Sequence, residues 1–303
     1  MAKHPERIRI GTCSWKYPEW HGLVYSAPKG IDYLQEYSRK YSTVEIDQWF
    51  WSLFSPETGA KMPTPADVLR YRDAVPEDFR FSIKAPNSIT LTHYYKRGTG
   101  ANLVPNPFFL SSDLFGKFLA LVDPIRDLLG PIIFQFEYLN KMKMPSPKMF
   151  KDRFGEFLDQ IPADYAYGLE IRNKNYFNKD YFGFLSKKGL APVLIEGYWM
   201  PPLAELFRKW RNEIRKHPLV VLRLMGKDRK GIEKVTGSKW DRIVAPKDAE
   251  LKAIADIVKD LAENGVEVYL NVNNHYEGCA PATIGRIKSE LREYYIEPTY
   301  PHR

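Results

Sequence analysis

Tyr165–Arg172 reads YAYGLEIR. In an extended chain alternate side chains face opposite ways, so Tyr167, Leu169 and Ile171 share one side. Ala166, Gly168, Glu170 and Arg172 share the other. A solvent-facing strand would carry polar residues along its whole outer side, and alanine and glycine do not suit that. The stretch therefore predicts a strand with helices on its apolar side and an enclosed space on the other. That space is polar only towards the C-terminal end of the strand.

The same alternation recurs in both directions from this point. Ser42–Trp49 (STVEIDQW) sets Val44 and Ile46 against Thr43, Glu45 and Asp47, and Arg80–Pro86 (RFSIKAP) sets Phe81 and Ile83 against Ser82 and Lys84. Pro131–Glu137 (PIIFQFE) has Gln135 and Glu137 on its less apolar side. Ala191–Glu196 (APVLIE) ends in Glu196, and His217–Gly226 (HPLVVLRLMG) carries Arg223. Arg7–Trp15 and Val266–Asn274, with Asn271 and Asn273, complete a set of eight strands. Helical spacing or capping residues mark Ile31–Tyr41, Pro65–Ala74, Ser111–Leu129, Ser146–Gln160, Lys179–Lys188, Pro202–Lys216, Ala249–Asn264 and Pro281–Tyr295. Two long connections, Asn87–Leu110 after the third strand and Gly226–Lys247 after the seventh, read as irregular. Connections of that length in a compact domain are usually functional or mobile.

Strand and helix thus alternate about eight times over 303 residues, the length and order of a TIM-like (β/α)8 barrel. A single α/β domain spanning residues 1–303 is expected, with long loops after strands three and seven. A doubly wound open sheet is the main alternative. It is disfavoured because no glycine-rich phosphate loop follows the first strand.

Composition narrows the class further. The chain is 44% hydrophobic, 27% charged and 14% aromatic, enough for a large core. No apolar run approaches the ~20 residues needed to span a bilayer, and MAKHPERIRIG has no signal-peptide core. Two cysteines, Cys13 and Cys279, make neither a disulfide framework nor a zinc set, so a cytoplasmic setting is expected. The net charge of +8 favours anionic partners.

Six segments carry a family resemblance. Gly11–Tyr25 (GTCSWKYPEWHGLVY) looks like the YecE-like family, catalogued as domain of unknown function 72. Thr43–Leu53 (TVEIDQWFWSL) resembles its "TVEINSTFY" segment and Phe81–His93 (FSIKAPNSITLTH) its "F-x-x-K-x-P…ITH" segment. Ile132–Glu137 is similar to the "QFPP" strand without the prolines, and Gly168–Phe177 (GLEIRNKNYF) resembles "EFRHxSW". Val272–Thr283 resembles "FNNxxxGxAxxNA", with Val272 for Phe and Thr283 for Asn. The resemblance covers nearly the whole chain. It implies a TIM-barrel-like fold, related in architecture to the xylose-isomerase and AP-endonuclease barrels, and it supplies no established reaction.

In such a barrel the face opposite the helices points inward, and activity sits at the C-terminal strand ends. Placing the apolar parity outward gives an inward set of Glu45, Asp47, Lys84, Gln135, Glu137, Glu170, Arg172, Glu196, Arg223, Asn271 and Asn273. Two readings of this set stay open. In one, Glu170–Arg172 and Glu45–Lys84 neutralise one another and plug the barrel. In the other, Lys84, Arg172 and Arg223 hold an anion while Glu45 or Glu170 moves a proton beside it.

Charge and aromatic residues on the loops favour the second. Asn87–Leu110 carries Lys96 and Arg97 with no acid; Gly226–Lys247 carries seven basic residues, Lys227 and Arg229 among them, against three acids. Trp15, Tyr17, Trp20, Trp49, Phe50, Trp51, Tyr94, Tyr95, Trp199, Trp240 and Tyr276 crowd the same rim, where rings can stack sugars or bases. The catalytic candidates are Glu45, Glu170, Lys84 and His93. The ligand-binding candidates are Trp15, Asp47, Gln135, Arg172, Arg223, Asn273, Asn274, Lys227 and Arg229. Glu45, Asp47, Glu170 and Glu196 are of the type that holds Mg²⁺ or Mn²⁺. Lys84, Arg172 and Arg223 compete for those carboxylates, and no HxxxH or HxH pattern exists, so no metal ligand is assigned and the cofactor stays open. The expected function is a hydrolase- or lyase-type enzyme on a phosphorylated or nucleic-acid-derived ligand. The rival is a non-catalytic nucleic-acid-binding protein using the same rim. No membrane partner is expected.

Overall fold

Residues 7–95, 102–292 and 294 are described by a computed structural model. The apolar alternations become eight strands: β1 (Ile8–Thr12), β2 (Thr43–Ile46), β3 (Arg80–Lys84), β4 (Leu129–Gln135), β5 (Tyr167–Glu170), β6 (Ala191–Gly197), β7 (Leu219–Gly226) and β8 (Glu267–Val272). They pair in the order β1-β8-β7-β6-β5-β4-β3-β2, and every pair is parallel. The two ends of that order meet. Cys13 bridges Glu45 in parallel, and Ser14 N–H donates to the Glu45 carbonyl at 2.9 Å. Gly11 permits this seam, because a Cβ there would sit 2.0 Å from the Thr43 carbonyl oxygen. The result is a nearly closed TIM-like barrel forming one α/β domain.

The helices are α1 (Tyr33–Ser38), α2 (Pro65–Asp73), α3 (Asn87–Thr90), α4 (Ser112–Val122), α5 (Pro147–Leu158), α6 (Lys179–Lys187), α7 (Leu203–Ile214), α8 (Arg229–Thr236), α9 (Asp248–Glu263) and α10 (Ala280–Glu290). Ser146 caps α5 as its spacing implies, accepting from Met149 N–H at 3.1 Å. The apolar side of the Tyr165–Arg172 stretch faces outward as expected. Tyr167 packs 5.5 Å from Phe134, and Phe134 in turn meets Phe154 and Phe157 of α5. Each such ring removed from water stabilises the fold by roughly 1.5–3 kcal/mol. Inside the barrel Ile133, Val193, Val221 and Tyr269 form a separate apolar layer. Gly168 leaves room for it, since a Cβ there would lie 2.8 Å from Val193.

Four local expectations change. The helix expected over Ser111–Leu129 stops at Val122, because Pro124 offers no N–H to continue it; Asp123–Leu128 winds as a tighter 3-10 turn. The helix expected from Ile31 starts at Tyr33, where the Asp32 carboxylate accepts from Leu34 and Gln35 N–H. The loop after β3 opens with the single turn α3. The loop after β7 contains α8, capped by Asp228 and stopped by Gly237 at φ 60°. Lys96 and Arg97 lie outside the described residues. Among the described residues no helix is long and apolar enough to cross a membrane.

Candidate active site

The strand register sets side chains from separate strands at one level above the apolar layer. Arg223 of β7 is level with Asn271 of β8, and Gln135 of β4 is level with Glu170 of β5. Arg223 is the hub. Its Nε and Nη2 donate to the two oxygens of Glu45 at 2.8 and 2.6 Å, and its Nη1 donates to Glu170 Oε2 and, at 3.2 Å, to Gln135 Oε1. Asn271 Nδ2 adds 3.2 Å to Glu45 and 3.3 Å to Ser82 Oγ. Arg172 Nε donates to the remaining Glu170 oxygen at 3.0 Å, while its guanidinium lies 4.5 Å from the Tyr198 ring centre. Glu45, Glu170 and Arg223 are buried.

Buried charge survives only when paired and hydrogen-bonded, and this set meets that condition. Two carboxylates face two guanidiniums. Burial would raise the Glu170 carboxyl, but Arg223, Arg172 and Lys84 outweigh it and hold Glu170 below the usual glutamate range. Burial would lower the Arg223 guanidinium, and Glu170 and Glu45 more than reverse that. With four N–H contacts made inside the floor and almost no exposed surface, Arg223 is not placed to receive an external anion. The self-neutralising reading describes this floor, with Arg223 in the place expected of Lys84.

Lys84, at the end of β3, stands apart. It is 6% exposed, and among the described residues its ammonium makes no ion pair and no hydrogen bond. Its partner is the Phe50 ring, whose centre lies 4.2 Å away. Burial and the Arg223 charge lower its pKa; Glu45, Asp47 and Glu170 oppose this without cancelling it. Asp47, just past β2, is half-buried and likewise free of ion pairs among the described residues. Burial raises its carboxyl above the usual aspartate range, against the pull of Lys84.

The other candidates fall elsewhere. Glu196 was expected inside, but Ile195 is the β6 residue level with Arg223, so Glu196 turns outward. There it accepts Leu203 N–H at 2.7 Å and caps α7. Trp15 is buried edge-on against Tyr71 of α2, 5.1 Å away, rather than on the rim. His93 is half-buried with Nδ1 2.9 Å from Thr92 Oγ1. Asn274 accepts Ala280 N–H at 2.9 Å, and its Nδ2 is buried without a partner among the described residues. Asn273 Oδ1 accepts from His275, whose Nε2 lies 3.0 Å from Glu233, itself paired with Arg229 at 2.8 Å. This second cluster is complete in itself. Lys227 is exposed. Glu137 pairs with Lys143. Cys13 is buried, and burial lifts its thiol well above the ordinary range, which suits a packing residue. Among the described residues no group of three or more His, Cys, Asp or Glu side chains is placed to hold a metal ion.

Two contributors went unread. Asn87, after β3, accepts Ser52 and Leu53 N–H through Oδ1 and leaves a buried Nδ2 unpartnered among the described residues. Tyr198 covers Arg172 from a left-handed backbone, φ 49°. Strain in a bulky residue beside a strand end is a recurrent mark of functional sites. The Gly197–Tyr198 pair after a buried strand was its only signal in the sequence.

A nearly closed ring of eight parallel strands with a charged, self-paired floor at its C-terminal end defines the chain as a TIM-type barrel protein. Residues 9–302 match the family model described as "Protein of unknown function DUF72", and the chain belongs to that family. It is 28% identical over 176 residues to the UPF0759 protein YecE of Escherichia coli K12, a match covering 57% of this chain and 51% of that protein. The chain thus spans about half the length of the curated relative it matches. The structure is similar to that of a DUF72 family protein from Enterococcus faecalis V583, with a TM-score of 0.68 and 17% identity over 98% of this chain and 99% of the other. A DUF72 family protein from Thermotoga maritima MSB8 gives a TM-score of 0.64 and 19% identity over 94% and 99%. At these identities the likeness shows the fold.

Proposed function

We propose that the chain is a barrel enzyme of hydrolase or lyase type that takes a phosphorylated or nucleic-acid-derived anion at the C-terminal mouth. The observation that carries this reading is Lys84: a lysine only 6% exposed, with no counter-ion in ion-pair range among the described residues, beside a floor that is already neutral. A cation left unpaired in such a place is costly unless a ligand completes it. In the proposal Lys84 and the free face of the Arg172 guanidinium receive the anion. Glu45, Glu170 and Arg223 hold the floor rigid. The proton-transfer role passes from Glu45 and Glu170, whose oxygens are engaged, to Asp47. Isothermal titration of the protein with inorganic phosphate tests it. Binding should be lost in Lys84→Met and kept in Arg229→Ala; equal binding by wild type and Lys84→Met removes the reading.

A second reading has its own support. Trp51, Tyr95 and Trp199 follow β2, β3 and β6, and the fold leaves all three exposed, Trp199 by 89%. Lys227, Lys230, Lys234 and Lys239 make no ion pair among the described residues of the neighbouring β7 loop. Such a rim suits stacking and phosphate contacts with a single strand. Mixed-sequence oligonucleotide binding that weakens steeply with salt and is lost in Trp199→Ala would favour it.

A further inference from the structure

Only the neutral form of a lysine is a nucleophile, and a lysine held by a carboxylate is kept charged. Lys84 meets the opposite condition by geometry. It projects from the end of β3 onto the Phe50 ring, 4.2 Å from its centre, with no oxygen in ion-pair range among the described residues. The acids that face it, Glu45 of β2 and Glu170 of β5, are both turned onto Arg223 of β7. The third, Asp47, makes no ion pair among the described residues, although Lys84 is the strongest opposite charge acting on it. The burial that favours a neutral amine also favours a protonated Asp47.

We infer that Lys84 forms an imine with the carbonyl carbon of an anionic aldehyde or ketone, the anionic group lying against Arg172. This inference rests on the reading of the mouth given above and names its substrate class. The Nζ lone pair forms the N–C bond as the carbonyl π pair moves to oxygen, and a proton passes from nitrogen to that oxygen. The hydroxyl of the resulting carbinolamine then leaves as water, taking its proton from Asp47, while the nitrogen lone pair closes the C=N bond. The products are an iminium with one N–H, an Asp47 carboxylate and one water. The new positive charge faces the new negative one, and no oxidant or reductant is required. An iminium draws electrons from the neighbouring carbon, which is what a lyase needs to break a bond there.

Borohydride trapping tests this on the full chain. The protein is incubated at neutral pH with pyridoxal 5′-phosphate, a phosphorylated aldehyde, or with pyridoxal, then reduced and mapped by peptide mass spectrometry. Lys84 should be labelled on the order of tenfold faster than the exposed Lys230. Pyridoxal should label it less than the phosphorylated probe, and excess inorganic phosphate should protect it. Lys84→Arg should keep phosphate binding by calorimetry and gain no adduct at position 84. Labelling of Lys84 no faster than Lys230 overturns the imine. In that event phosphate heat that still depends on Lys84 leaves the anion-binding mouth standing, and its absence removes both.

Discussion

Arg223 and Glu45 lie 178 residues apart in the chain and meet as a two-point pair at 2.8 and 2.6 Å in the middle of the barrel. Their strands, β7 and β2, are not neighbours in the sheet, so the pair reaches across the interior. Glu170 and Gln135 engage the same guanidinium from β5 and β4. One side chain thus ties four of the eight strands together, and the register of each strand is what brings it within reach.

Removing that guanidinium should be severe. Arg223→Met leaves the Glu45 and Glu170 carboxylates buried without their main counter-charge, and breaking a buried network this way costs about 3–5 kcal/mol. Replacing the charges together, Arg223→Met with Glu45→Gln and Glu170→Gln, should recover most of the loss, since no buried carboxylate is left stranded and Arg172, which loses Glu170, is partly exposed to water. Urea unfolding midpoints measure both. If the triple variant is as unstable as the single one, packing rather than stranded charge holds this region.

Acid stability should report the same floor. The folded-state pKa of Glu170 lies below its unfolded value of 4.5, as Arg223, Arg172 and Lys84 outweigh burial. Below 4.5 the unfolded chain binds the proton first, so stability falls as pH drops through the folded-state value. The contribution is fully present above the unfolded value. In Glu170→Gln this part of the pH dependence should vanish. Thermal melts between pH 3 and 6 would show it as a shallower slope, and an unchanged slope would assign the acid sensitivity to other groups.

Interior packing supplies a prediction from the stretch that decided the fold. A Cβ at Gly168 would stand 2.8 Å from Val193 Cγ2. Gly168→Ala should therefore destabilise by roughly 1–3 kcal/mol through overpacking. Adding Val193→Ala should relieve the clash, so the double variant should be more stable than Gly168→Ala with Val193→Ala measured separately would imply. Simple additivity of the two changes, read from denaturation midpoints, would mean that the residues do not press on one another.

The architecture was legible because strand alternation carries it: YAYGLEIR shows an apolar side and a small side, and both face as the pattern demands. Parity also put Glu45, Gln135, Glu170 and Arg223 on the inner face, where they meet. It failed at Glu196, where the buried β6 run APVLIE is apolar on both faces and offers no alternation to read. Pairing within the floor was not legible either. Which carboxylate meets which cation depends on the reach of each side chain across the barrel, and Arg223 spans a distance that Lys84 does not. The short helix α8 was within reach of the sequence, as Asp228 and Gly237 bracket it with a cap and a stop. Its eight residues lie in a lysine-rich stretch with only Ile232 and Thr236 buried, too few to mark a helix face by spacing.

The unpaired Lys84 should make the fold less stable than it could be. Its folded-state pKa lies below the unfolded 10.5 because burial and Arg223 disfavour the charged form more than Glu45, Asp47 and Glu170 favour it. Below the folded-state value both states are protonated and the full penalty is present. Between that value and 10.5 the unfolded chain holds the extra proton, so stability rises with pH and the penalty fades. Lys84→Met keeps the contact with Phe50 and removes the charge. It should therefore raise stability at neutral pH by about 0.5–2 kcal/mol, the size usual when a functional residue is traded for a well-packed one. The gain should shrink as pH approaches 10.5. Differential scanning calorimetry of both proteins from pH 6 to 10 measures it. A Lys84→Met variant less stable than wild type at every pH would show that the ammonium is a structural group rather than one reserved for a ligand.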